Sequence, residues 1–399
     1  MEPPNGFHTF ENGHQDLVLA VDYNLDGTRL VTASSDHRLK VRDVQGDEWK
    51  LVDTWRAHDA EVIDVKWNGP YMGQVLGSVG EDGKLKLWEE DTTEPPNSGR
   101  RFKCIYSHTS PSHIPYVSLD MKNIQLETWI ALLSRDGLLS IYEPSDPDSL
   151  ANWQLFDQLQ VCSLPARGEE TSFKVCFHHD ALPCYTAVMA GLDKKALSLV
   201  VGGMDSARVY RTNKRNQLYA AAELTGHHGL VRDVDWARGS VRGYDLIATA
   251  SKDGFVRIFE VRTPFTSEKE PTSEQYMSVP NSETKSSGAA QSRGSRNPPS
   301  GIGAGLAGAM KANGASRDGE GDGHHVKHVV KEVAALAAHR AGVWRVRFNR
   351  QGDVLCSAGD DGRLRLWKRA ITGEWLEFAE IGADDSRASR FRGGFTSNP

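Results

Sequence analysis

The chain has 399 residues and a formal net charge of −6, from 47 basic and 53 acidic side chains. That balance excludes a dominant nucleic-acid footprint, which needs a clearly basic domain. A mean hydropathy of −0.49 and the lack of any run of about 18 apolar residues exclude a membrane-spanning helix. The start, Met1 to Gly6, has neither a basic stretch nor an apolar one and is not expected to be a secretory signal. Cys104, Cys162, Cys176, Cys184 and Cys356 are scattered and form no C-x-x-C pair. They read as reduced thiols rather than a disulfide or zinc framework.

In chain order, one pattern repeats: a His, an alternating strand, a small-residue strand, an Asp, and a third strand ending in an aromatic. The first copy runs from His14 through Asp36 to Leu39–Val41, with Arg42 where the aromatic belongs. The second has His58, Val62–Trp67, Val75–Val79, Asp82-Gly83 and Lys84–Trp88. The third, degraded, has His108, Val117–Leu119, Trp129–Leu133, Asp136-Gly137 and Leu138–Tyr142. The fourth, also degraded, has Phe173–Phe177, Leu197–Val201, Asp205 and Ala207–Tyr210; it lacks the His and is one residue short after its Asp. The fifth has His227, Val231–Trp236, Leu246–Ala250, Asp253-Gly254 and Phe255–Phe259. The sixth has His339, Val343–Phe348, Val354–Ala358, Asp361-Gly362 and Arg363–Trp367.

Period-two alternation is strand patterning, and Asp-Gly supplies a tight turn with positive φ. Successive turn Asp residues lie 46, 54, 69, 48 and 108 apart. With insertions, this is the ~40–45-residue period of four-stranded propeller blades. The expected fold is therefore all-β, a six-bladed WD-repeat β-propeller. Blades are expected around 11–55, 56–106, 107–160, 161–224, 225–337 and 338–382, with a flexible tail at 383–399.

The best copies repeat a set: His58, Ser78, Asp82 and Trp88, and again His339, Ser357, Asp361 and Trp367. Such a set can link indole N–H, hydroxyl, imidazole and carboxylate into one chain that satisfies buried polar groups. A hydrolase triad has similar parts. A single active site is not repeated blade after blade, however, and no G-x-S-x-G setting is present. No catalytic residue, cofactor or metal is expected.

Residues 263–327 are rich in Ser, Gly, Ala, Pro, Lys and Glu and nearly lack aromatics. They read as a disordered loop inside the fifth blade, between Phe259 and the strand Val329–Leu336. Gly-rich runs there lack a P-loop signature. His324, His325 and His328 offer only a weak metal-binding possibility, and the many serines are candidate phosphorylation sites.

After Trp367, Glu374–Ile381 alternates as a strand, so the sixth blade owns four strands. Phe7, His8, Thr9 and Phe10 could form a strand but have no blade to complete. Two arrangements fit. The ring is open, its unpaired edge a template for a partner's strands, with Phe7–Phe10 near that edge. Alternatively, Phe7–Phe10 is a frayed tail and six blades close on themselves.

Four groups of residues are more specific than the generic repeat: Asp16–Val21 with Val31–Asp36; Gln74–Ser78 with Leu87–Glu90; Arg135–Glu143 with Leu150–Leu155; and Val343–Val346 with Ser357–Gly362 and Arg365–Lys368. In these the chain resembles the SEH-type nucleoporins, in a fungal-like form. The resemblance implies a non-enzymatic scaffold of the Y-shaped nuclear pore subcomplex, supporting nucleocytoplasmic transport. An α-helical scaffold nucleoporin is implied to donate a blade to its open propeller. It further implies a second role at the vacuolar membrane, in the SEA/GATOR complex of TOR signalling. Arg42 and the long insertion depart from the family pattern. The nearest alternative is a secretory-coat (COPII) propeller. A peptide-reading WD-repeat adaptor would need an aromatic cage or acidic pocket at the channel mouth.

Overall fold

In the computed structural model of the chain, residues 10–46, 48–69, 74–239, 242–264, 325–337 and 339–382 are described. They build six four-stranded antiparallel sheets. The first sheet holds β1 (Val18–Tyr23), β2 (Arg29–Ser34), β3 (Arg38–Gln45) and β4 (Glu48–Arg56). The second holds β5 (Val62–Trp67), β6 (Val75–Gly80), β7 (Lys84–Glu90) and β8 (Phe102–Thr109). The third holds β9 (Tyr116–Ile124), β10 (Glu127–Ser134), β11 (Leu138–Asp146) and β12 (Ser149–Gln160). The fourth holds β13 (Phe173–Phe177), β14 (Ser198–Gly203), β15 (Ser206–Thr212) and β16 (Leu218–Leu224). The fifth holds β17 (Val231–Trp236), β18 (Asp245–Ser251), β19 (Val256–Arg262) and β20 (Val329–Leu336). The sixth holds β21 (Val343–Phe348), β22 (Val354–Gly359), β23 (Arg363–Arg369) and β24 (Trp375–Gly382).

These are the six blades of a β-propeller. Each sheet is a meander, so each blade forms from one continuous stretch of chain by successive hairpins. The first strand of each blade is innermost, packing against the first strand of the next from β1 to β21. The second strands are the most apolar, and β6 and β18 are buried throughout. Gly83, Gly137, Gly254 and Gly362 take positive φ in the Asp-Gly turns, where a Cβ is disfavoured. The first blade has no such glycine, and His37 adopts φ 68° instead. The fourth blade's turn is shorter, two residues long, and Met204 takes the left-handed conformation.

One irregularity recurs in all six sheets. The register between third and fourth strands shifts immediately before Arg42, Trp88, Tyr142, Tyr210, Phe259 and Trp367. A bulge there bends the strand and re-aims the side chain that follows. The repeated aromatic position is thus set by backbone geometry as well as by residue type.

The fourth blade's long interval is filled by the only helix among the described residues, α1 (Tyr185–Met189), between β13 and β14. Cys184 and Ala187 pack there with Leu192, Ala196 and Val326. No helix among the described residues is long and apolar enough to cross a membrane.

Candidate functional site

The bulge before each third-strand aromatic brings four side chains together in two blades. Trp88 Nε1 donates to Ser78 Oγ at 2.9 Å, Ser78 Oγ lies 2.8 Å from His58 Nε2, and His58 Nδ1 lies 3.0 Å from Asp82 Oδ1. The carboxylate can only accept, which fixes the proton on Nδ1 and leaves Nε2 to accept the seryl proton. The sixth blade repeats this with Trp367, Ser357, His339 and Asp361 at 3.0, 2.8 and 3.0 Å. Ser78 and Ser357 are completely buried, so neither hydroxyl can meet a substrate. Burial would raise the Asp82 pKa, but His58 and the amides of Asp59 and Lys84 hold it down to about 2.

The other blades keep part of the set. His227 links Asp253 and Thr249 at 3.0 and 2.7 Å, with Phe259 in the aromatic position. His14 links Asp36 and Thr32 at 2.9 and 2.8 Å. Arg42 instead reaches the Asn12 carbonyl, and Phe10 stacks under its guanidinium at 5.3 Å. Phe10 therefore sits on the first blade's own third strand; Phe7, His8 and Thr9 lie outside the described residues. In the third blade His108 contacts the Tyr142 hydroxyl at 3.2 Å rather than Asp136.

A second recurring group was not read from the sequence. Inner-strand carboxylates accept backbone amides of the following blade. Asp22 takes Trp67 N at 2.8 Å, Asp64 takes Leu119 N at 3.2 Å, and Asp120 takes Phe177 N at 2.7 Å. Asp233 takes Val346 N at 3.0 Å and Asp235 takes Phe348 N at 2.6 Å. Cations balance these acids: Lys66 lies 3.4 Å from Asp22, Lys174 2.5 Å from Asp64 and Arg347 3.0 Å from Asp233. Burial would raise the Asp64 pKa, but the Lys174 ammonium holds it down to about 2. At one mouth of the channel, a cavity of about 560 Å3 is lined by Lys66, Asp120, His179, Asp235 and Arg347.

The blade boundaries are not alike. Apolar clusters join the first blade to the second, second to third, third to fourth, fourth to fifth and fifth to sixth. Among the described residues, none joins the sixth to the first. Val21 and Tyr23 on β1 are 53% and 52% exposed, and Leu17 and Val18 are exposed beside them. On the sixth blade Leu364 of β23 is 42% exposed, while Trp344 of β21 stacks on Arg232 of the fifth blade. Arg345 donates to the Leu19 carbonyl at 3.1 Å, a polar strut between these two blades.

The histidines of the insertion are not brought together. His325 stacks on Tyr219 at 4.2 Å, His328 Nδ1 lies 2.9 Å from Thr263 Oγ1, and His324 lies outside the described residues. Most of residues 263–327, including the candidate phosphorylated serines, also lies outside them.

The WD domain, G-beta repeat family matches residues 7–43, 49–89, 220–260 and 330–368, leaving the third blade and most of the fourth unmatched. The chain is 31% identical to Nucleoporin SEH1 of Chaetomium thermophilum, over 93% of this chain and 94% of that one. It is 30% identical to Nucleoporin SEH1 of Saccharomyces cerevisiae, over 92% and 96% of the two chains. It is 31% identical to Nucleoporin seh1 of Schizosaccharomyces pombe, over 90% and 91%.

Proposed function

Because the chain belongs to the SEH1 nucleoporin family, we propose that it is a scaffold propeller of the nuclear pore complex that binds an α-helical nucleoporin by accepting a blade. The component role and the place at the pore follow from the family. The blade-accepting mode rests on one observation: the sixth-to-first boundary alone lacks an apolar cluster among the described residues, and Val21, Tyr23 and Leu364 are exposed on its two blades. An inserted sheet would cover these side chains by packing face to face, as each blade packs on the next.

The binding is non-enzymatic. The His–Ser–Asp sets are buried structural chains, repeated in two blades, with the hydroxyl already engaged on both sides. A second role in the vacuolar SEA/GATOR complex is part of the same proposal and is supported by the family resemblance. The channel mouth presents mixed charge, and Trp67, Phe177 and Trp236 of its lining are buried rather than displayed as a cage, which favours the scaffold over a peptide reader.

Hydrogen exchange of the full chain, alone and with a fragment of the α-helical scaffold nucleoporin of its own pore, tests the reading. Protection should rise in β1, β2, β21 and β22 on binding. Protection gained only at other blades, or no binding, would overturn blade acceptance.

A further inference from the structure

Cys176 ends one side of the channel mouth on β13, His179 follows in the next turn, and Asp235 faces both from β17. The Cys176 Sγ lies 3.7 Å from His179 Nε2 and 3.8 Å from Asp235 Oδ1, and Nε2 lies 3.2 Å from Oδ1. We propose that these three side chains bind a zinc ion that staples the fourth blade to the fifth, its fourth coordination position open to the channel.

The triangle itself carries the argument. A tetrahedral zinc with bonds of about 2.3 Å to sulfur and about 2.0–2.1 Å to nitrogen or oxygen sets its ligands ~3.6 Å apart for S–N or S–O and ~3.3 Å apart for N–O. The three observed separations match those edges, so an ion enters without moving the backbone. One thiolate, one imidazole and one carboxylate also make a donor set that zinc prefers over harder cations.

The surroundings hold the ligands in place. Asp235 Oδ2 accepts Phe348 N at 2.6 Å, which turns Oδ1 toward the sulfur and the imidazole. The His179 carbonyl accepts Arg238 Nη1 at 3.3 Å. Such outer partners orient metal ligands. Arg347 stands 3.8 Å from Asp235 Oδ1, but its shorter contacts are to Asp233 at 3.0 Å and the Val346 carbonyl at 2.8 Å. It therefore keeps its partners when Oδ1 turns to the ion. Cys176 and Asp235 are buried, while the His179 side chain is 32% exposed to the mouth and marks the way in. On binding, the ion replaces the thiol proton, which leaves to solvent, and the His179 proton moves from Nε2 to Nδ1, so that a neutral imidazole ligates through Nε2.

The position has a structural logic. Asp22, Asp120 and Asp235 clip their blades to the next by taking a backbone amide. Cys176, the residue before Phe177, stands where those acids stand, at the fourth blade's boundary with the fifth. A zinc ion there supplies the clip that the missing carboxylate does not.

The test uses the full-length chain, stripped by chelator and titrated with Co2+, then Zn2+. One equivalent of cobalt should give intense visible d–d bands and a thiolate charge-transfer band, and one equivalent of zinc should abolish both. Cys176→Ser should lose the charge-transfer band, and His179→Gln should weaken binding by at least the ~10–100-fold that loss of even an outer partner costs. Cys104→Ser, and the triple His324, His325 and His328→Ala variant, should behave as the parent. Circular dichroism without metal checks that each variant folds; should Cys176→Ser not fold, His179→Gln carries the test. No charge-transfer band in the folded parent overturns the proposal. So does a band that survives Cys176→Ser, or binding lost only in the triple histidine variant.

Discussion

Lys174 Nζ lies 2.5 Å from Asp64 Oδ2, so a cation of the fourth blade neutralises an acid of the second across the channel. Both side chains are almost fully buried. Removing one partner of such a pair leaves an uncompensated buried charge, at a cost of about 3–5 kcal/mol. Lys174→Met should therefore lower the unfolding free energy, read from urea denaturation, by that amount. The double variant Lys174→Met with Asp64→Asn should recover part of the loss, and a strictly additive double variant would show that the two groups do not interact.

The same pair gives an acid limit. Asp64 titrates at about 2 in the folded chain, below its ordinary value, because Lys174 outweighs burial. A depressed folded pKa contributes stability above the unfolded pKa, and that contribution is lost as pH falls through the folded one. Stability should thus decline between about pH 4 and pH 2, by roughly 2 kcal/mol from this group. Asp64→Asn should flatten the decline, as measured by urea unfolding across that range.

Ser78 sits between an indole N–H and an imidazole, so Ser78→Ala orphans both and should cost about 1–3 kcal/mol. The first blade offers the converse. Arg42 occupies the indole position with its Nη1 buried and unpartnered, above Thr32 in the chain to His14. Arg42→Trp should complete that chain and add ~1 kcal/mol, a common scale for repairs of this kind. A lowered melting temperature would show that the Asn12 and Phe10 contacts outweigh it.

The fifth blade's outer hairpin pairs Arg262 with Val329, and Thr263 reaches His328. These contacts need nothing from residues 265–324. Deleting that stretch should leave partner binding intact. For a flexible loop it should also raise stability by up to ~2 kcal/mol, since closure entropy falls about 0.6 kcal/mol per halving of length. Lost folding or binding would show that the stretch is structural.

Val21 is half-exposed on β1 and contributes little to the folded chain alone. Val21→Asp should leave the isolated chain's melting temperature within about 1 °C, as surface changes usually stay within ~0.5 kcal/mol. Under the blade-accepting reading it should abolish co-purification with the α-helical partner. Unchanged co-purification would place the contact elsewhere.

Much of this was legible because it repeats. His, Ser, Asp and Trp recur at fixed offsets within single blades, where local hairpins dictate who meets whom. Across blades the reading failed. Asp235 is far from Cys176 and His179 in sequence, and only the packing of β13 against β17 joins them. The interblade acids look like ordinary polar alternation along a strand. Aligning the residue before each inner strand's last aromatic, Asp22, Lys66, Cys176, Asp235 and Arg347, is the signal that could have exposed that column. The helix at Tyr185–Met189 is too short to show a period. His108 pairs with Tyr142 because its blade lacks the Ser that would turn the imidazole toward Asp136.

The acid-to-amide clips all point the same way along the chain: the first, second, third and fifth blades each hold the one that follows. A series with that polarity has two unlike ends. The last blade's inner strand, Val343–Phe348, carries Arg345 and Arg347 and no acid. Among the described residues no carboxylate takes the amides of Val21 or Tyr23 at the other end. Under the blade-accepting reading, a sheet seated between them is oriented by that polarity, with its acids toward the amides of β1 and its acceptors toward Arg345 and Arg347 of β21.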